Sequence, residues 1–110
     1  MRRGEVWTAG GGPGYAGKPR PVVIVQDDRF DATASVTVCG VTTNPTDAPL
    51  FRLPIDPAED NGLAAPSRLM VDKITTVARG NLGYRIGRLT DTDMLRLNRA
   101  IVVFLGLAGG

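Results

Sequence analysis

Pro21-Val22-Val23-Ile24-Val25 decides the fold class. Four β-branched residues in succession stiffen χ1, favour extended backbone and predict a strand buried on both faces. Pro21 stands at the first strand position, where a missing N–H removes no interior ladder bond. Upstream, Glu5-Val6-Trp7-Thr8 reads as a short first strand. Between the two, Ala9 to Pro19 carries Gly10, Gly11, Gly12, Gly14 and Gly17 with two prolines. Such a stretch has little to pack and much entropy to lose, so it is expected to form a mobile surface loop.

Downstream, Gln26 to Ala34 is polar and reads as a loop, while Ser35 to Thr42 alternates polar and apolar before a turn at Thr43-Asn44-Pro45. Leu50 to Ile55 is expected as an edge strand because Pro54 cannot donate to a central ladder. Asp56 to Pro66 reads as a loop with a turn at Asn61-Gly62. Ser67 to Val77 reads as a strand broken near Asp72, and Tyr84 to Leu89 as the last strand. A helix then follows. Thr90 is its N-cap, Asp93 completes a capping-box pattern, Met94, Leu97, Ile101 and Phe104 or Leu105 form one face, and Gly106 is the stop. The expected class is mainly β (α+β): five to seven short strands, curled as a small barrel or open sheet and closed by a C-terminal helix.

At 110 residues, with 43% hydrophobic and 22% charged residues, residues 1–110 are expected to form a single soluble domain. There is one cysteine, Cys39, and no histidine. A lone thiol cannot close an internal disulfide and fits a reducing compartment. Zinc sites draw on Cys and His ligands in number, and no dense acidic cluster suggests magnesium, so no cofactor is expected. The N-terminus has no apolar signal core, and no apolar run approaches the roughly 20 residues of a membrane span. The expected location is the cytoplasm, without membrane contact. Net charge is only +2, yet arginine dominates the cations, and its planar donor fork suits phosphate.

Without histidine, no Ser–His–Asp or Cys–His arrangement is possible. The glycine loop lacks the Gly-Lys-Ser/Thr ending of a phosphate-binding P-loop. Cys39 sits mid-strand among apolar residues and reads as a small buried hydrophobe. Two features remain. Lys18-Pro19-Arg20-Pro21 holds a basic pair between prolines, so that Arg20 leaves a rigid strand edge. Val41-Thr42-Thr43-Asn44-Pro45 places two hydroxyls and an amide, all phosphate donors, at a strand end.

Taken in order, Arg3-Gly4-Glu5-Val6-Trp7, Arg20 to Gln26, Val41 to Asn44 and Val71 to Val77 resemble the MazF/PemK family, toxins of type II toxin–antitoxin systems. The resemblance spans nearly the whole chain. It implies an SH3-like barrel that forms a homodimer, and a metal-independent, sequence-specific endoribonuclease acting on single-stranded RNA. It further implies a cognate antitoxin whose acidic tail competes for the RNA groove. The family's catalytic arginine and threonine match Arg20 and Thr42. Its RNA contacts fall on the loop around Tyr15 and Lys18, on Thr43 and Asn44, and on Asp72 and Lys73. The loop departs from the Ser-Glu-Gln common in relatives, and Asp72-Lys73 stand where Glu-Gln is frequent. A different class, gyrase inhibition by binding as in the CcdB family, shares the expected fold. That family's Trp-Gly-Ile tail is replaced here by Leu105 to Gly110. An inert nucleic-acid-binding barrel is a third reading.

Overall fold

The computed structural model describes residues 1–10 and 19–107. Most of the glycine-rich stretch, with Tyr15 and Lys18, lies outside the described residues. The strands are β1 (Glu5–Ala9), β2 (Arg20–Ile24), β3 (Ser35–Thr42), β4 (Arg52–Ile55), β5 (Ser67–Ala78) and β6 (Leu82–Arg88), followed by helix α1 (Asp91–Phe104). They form one six-stranded sheet in the order β4-β5-β3-β2-β1-β6, with every neighbouring pair antiparallel. The sheet does not close on itself: β4 and β6 are its two edges. Pro54 lies on the edge strand β4, where an absent donor is tolerated.

β2 runs through the middle and buries both faces, as its unbroken β-branched run requires. Val23 packs with Val6, Cys39, Val41, Leu69, Val71 and Leu97 on the side covered by α1. Val22 and Ile24 pack on the opposite side with Ala9, Val36, Val38 and Leu82. β5 serves both halves of the sheet. Its pairing with β3 shifts register between Cys39↔Ile74 and Val41↔Leu69, so Met70 to Lys73 form an irregularity opposite Gly40. The break expected near Asp72 is therefore a bulge-like bend within one continuous strand, which redirects the side chains it carries.

The helix starts where its sequence signal placed it, with the Thr90 hydroxyl accepting from the Asp93 amide at 3.1 Å. Only that half of the capping box forms, because the Asp93 carboxylate accepts from Arg96 instead. The buried face also differs from expectation. Leu97 and Ala100 are buried with Met94 and Ile101 against them, whereas Phe104 and Leu105 are exposed. Gly106, at φ +73°, ends the helix. The polar stretch after β2 contains one short 3₁₀ turn, Asp28–Phe30.

The Arg3-Gly4-Glu5-Val6-Trp7 motif has a structural explanation. Arg3 donates to the Val25 carbonyl and to Asn98 on the helix, tying the N-terminus to α1. Gly4 takes φ +92°, the left-handed region. Glu5 accepts from the Trp7 indole at 3.0 Å.

Candidate active site

Strand alternation decides which side chains share a surface. Arg20 lies on the same face of β2 as Val22 and Ile24, away from the helix. On β3, Val36, Val38, Gly40 and Thr42 occupy that face. β2 and β3 pair at Val22↔Gly40, and continuing this register sets Arg20 across from Thr42. Thr42 in turn pairs directly with Arg68 on β5, and Arg68 with Pro54 on β4. A single row thus crosses the sheet from Arg20 through Thr42 and Arg68 to Pro54, each step about 5 Å.

A cleft of about 250 Å³ opens on this row, lined by Arg20, Pro21, Val22, Gly40, Val41, Thr42 and Met70. Arg20 is exposed at its mouth and half-buried Thr42 lies beside it. The Thr42 hydroxyl oxygen accepts from the Asn44 backbone N–H at 3.1 Å, and the Asn44 side-chain oxygen Oδ1 accepts from the Thr46 hydroxyl at 3.1 Å. With its oxygen so held, the Thr42 hydroxyl proton is free to point into the cleft. Met70 forms part of the floor because Gly40 has no side chain. A Cβ at Gly40 would come within 2.7 Å of the Met70 methyl.

Beside Met70, its register partner Arg52 on β4 donates to Asp72 in a bidentate ion pair, at 2.6 Å from Nε and 3.0 Å from Nη2. The Arg52 guanidinium holds the Asp72 carboxyl below its ordinary range. Cys39 points to the opposite, helix-covered face. Burial pushes its thiol up to about 12, with the Asp72 charge adding to the effect against a hydrogen bond from the Met70 backbone. It is a neutral packing group at physiological pH.

The residues singled out in the sequence are distributed unevenly. Arg20 and Thr42 share the cleft. Thr43 opens onto a neighbouring cleft, and Asn44 anchors Thr42. Asp72 uses one position of each carboxylate oxygen on Arg52, while Lys73 is exposed. Tyr15 and Lys18 lie outside the described residues. Gly40, Met70 and Arg52 were not singled out. The alternation in Ser67 to Val71 places Arg68 and Met70 on one face, but only the strand pairing shows that this face adjoins Thr42.

Residues 2–105 match the model of the PemK-like, MazF-like toxins of type II toxin–antitoxin systems. The chain belongs to this family. It is 60% identical over 109 residues to a probable endoribonuclease MazF of Mycolicibacterium smegmatis, covering 99% of this chain and 100% of that protein. It is 31% identical over 116 residues to endoribonuclease MazF9 of Mycobacterium tuberculosis, covering 97% and 98% of the two chains. Among solved structures, a mycobacterial endoribonuclease in complex with its cognate antitoxin superposes with a TM-score of 0.81 at 27% identity, over 100% of this chain and 99% of that one. The mainly β fold with a C-terminal helix is thus that of the PemK/MazF toxins, and the match gives no support to the CcdB-like alternative. Among the described residues, no helix is long and apolar enough to cross a membrane.

Proposed function

We propose that this PemK/MazF-family toxin is an endoribonuclease that cleaves single-stranded RNA in the cytoplasm, with residues 1–110 acting as one domain. The observation that carries the reading is the register that sets Arg20 across from Thr42 at the mouth of one cleft. Kinship with proteins named endoribonucleases supports it.

RNA holds its own nucleophile, the 2′-hydroxyl beside each phosphate. Attack on phosphorus forms a 2′,3′-cyclic phosphate and expels the 5′-oxygen, which leaves as a hydroxyl after gaining a proton. Charge accumulates on the non-bridging oxygens as the reaction proceeds. Arg20 offers parallel N–H donors to those oxygens, and the Thr42 hydroxyl adds a third from the neighbouring strand. The sheet sets the Arg20 and Thr42 backbones across from each other before substrate arrives, so both donor groups start at the place where charge builds up. The Arg20 guanidinium carries N–H donors and no acceptor, so Arg20 acts as a stabiliser of charge and not as a proton carrier. Thr43, Asn44 and Lys73 extend the contact surface, Tyr15 and Lys18 contribute further RNA contacts, and Asp72 acts by holding Arg52 beside Met70.

The same reading includes two protein partners. A cognate antitoxin with an acidic tail competes for the arginine-lined face. A second copy of the chain covers the apolar strip of Leu50, Val103, Phe104 and Leu105, all about half exposed or more.

The deciding experiment incubates the protein with total RNA in EDTA and sequences the new 5′ ends. Cuts at a recurring short motif, with 2′,3′-cyclic phosphate and 5′-hydroxyl termini, are expected. Arg20→Ala should keep the wild-type circular dichroism and melting curve while cutting about 10²–10³-fold more slowly. A fully active Arg20→Ala protein refutes the assignment.

A further inference from the structure

The row across the sheet holds a second arginine beyond Thr42. Arg68 pairs with Thr42 on one side and with Pro54 on the other, so its side chain rises from the same face as Arg20. Among the described residues it makes no ion pair, whereas Arg52 on that face is committed to Asp72. It does not line the cleft that holds Arg20 and Thr42. It lines an adjoining cleft of about 260 Å³ whose other walls include Thr43, Pro45, Pro54, Asp56 and Pro66. The two clefts meet at Thr42 and Thr43, consecutive residues that face one cleft each.

We propose that Arg68 and this second cleft form the subsite for the nucleotide next to the scissile bond. Arg68 binds the neighbouring phosphate, and the base lies between the proline rings. The inference rests on the endoribonuclease reading and extends it. Arg20 and Arg68 stand two strands apart, about 10 Å between backbones. That spacing lets their flexible arms hold successive phosphates, with Thr42 between them. Three proline rings give rigid apolar walls that a base can pack against. Asp56 repels a phosphate from the far wall, leaving Arg68 as its counter-charge, and can accept from a base amino group. Arg68 is then a positioning residue, which holds the chain so that the scissile phosphate lies at Arg20.

The test uses a short RNA carrying one site mapped with the wild-type protein, and the same RNA made uncleavable by a 2′-O-methyl group at that site. Arg68→Ala should raise KM, and Kd for the uncleavable RNA, by about 10- to 100-fold, the worth of one or two charge-assisted hydrogen bonds. Its kcat should stay within about threefold of wild type, because transition-state charge is not its target. The slope of log Kd against log salt should fall by about 0.7, the contribution of one phosphate contact on a single strand. Arg68→Lys should restore that slope but only part of the affinity. A neutral methylphosphonate placed at each phosphate in turn should weaken wild-type binding at one flanking position, and should have no effect there in Arg68→Ala.

Wild-type KM and salt slope in Arg68→Ala would overturn the inference while leaving the endoribonuclease reading intact. So would a loss confined to kcat, which would place Arg68 on the scissile phosphate. If wild-type protein cuts no RNA, both fall. Should Arg68→Ala not fold, Arg68→Gln and the methylphosphonate scan on wild-type protein give the same decision.

Discussion

Removing the Asp72 carboxylate should cost stability in a pH-dependent way. In Asp72→Asn, Arg52 loses a bidentate partner held at 2.6 and 3.0 Å, with side chains only 12% and 22% exposed. Exposed pairs are worth about 0.2–1 kcal/mol, and breaking a fully buried one costs about 3–5 kcal/mol. This pair lies between those limits. The single variant should therefore lose about 1.5–3 kcal/mol, and the coupling from the cycle of Asp72→Asn, Arg52→Gln and the double variant should be about 1–2 kcal/mol. Each kcal/mol lowers the melting temperature of a domain near this size by about 4–8 °C.

The hydrogen bond from Arg52 lowers the Asp72 pKa in the folded state. A depressed carboxylate stabilises above its unfolded pKa of about 3.9 and loses that contribution as pH falls through the folded value. The gap between wild type and Asp72→Asn should thus stay constant from pH 7 to about 5 and shrink below about 4. Urea titrations of the four proteins across this range provide the measurement. A coupling below about 0.3 kcal/mol, or a gap that widens in acid, would show that the pair is a solvated contact and refute the reasoning.

Gly40→Ala should separate stability from activity. The new Cβ meets only the mobile end of Met70, at 2.7 Å, so the stability loss should stay below about 1 kcal/mol. The Met70 methyl must move within the cleft, and cleavage should drop at least tenfold; a variant as active as wild type would show that the floor does not matter. Cys39 should resist a thiol reagent in the native state at pH 8 and react fully on unfolding in guanidinium, since burial raises its pKa to about 12. Stoichiometric labelling of the folded protein within seconds would contradict its placement.

Local patterns were informative wherever one side of an element alone sets its chemistry. Val22 to Val25 announced a strand buried on both faces, Ser35 to Thr42 kept its bounds, and Thr90 with Gly106 framed the helix. Phe104 and Leu105 fit the helical spacing but stay exposed, with Phe104 tilted against the Phe51 ring at 6.1 Å between centroids; periodicity cannot show how much neighbouring surface there is to cover a residue. For the candidate site, Arg20 and Thr42 were legible as donors beside rigid strand ends. Their proximity was implied by the family resemblance alone and not by local pattern, since they belong to different strands separated by an entire connection.

The sequence by itself determined the β-rich class, the terminal helix and a site built without histidine, because propensity, capping and composition act within a few residues of chain. Only the tertiary structure decided that Arg20, Thr42 and Arg68 form one row, and that Asp72 is held by Arg52. Strand order and register are set by long-range hydrogen bonding and by which faces the core buries. A cleft made by three strands exists only once those choices have been made.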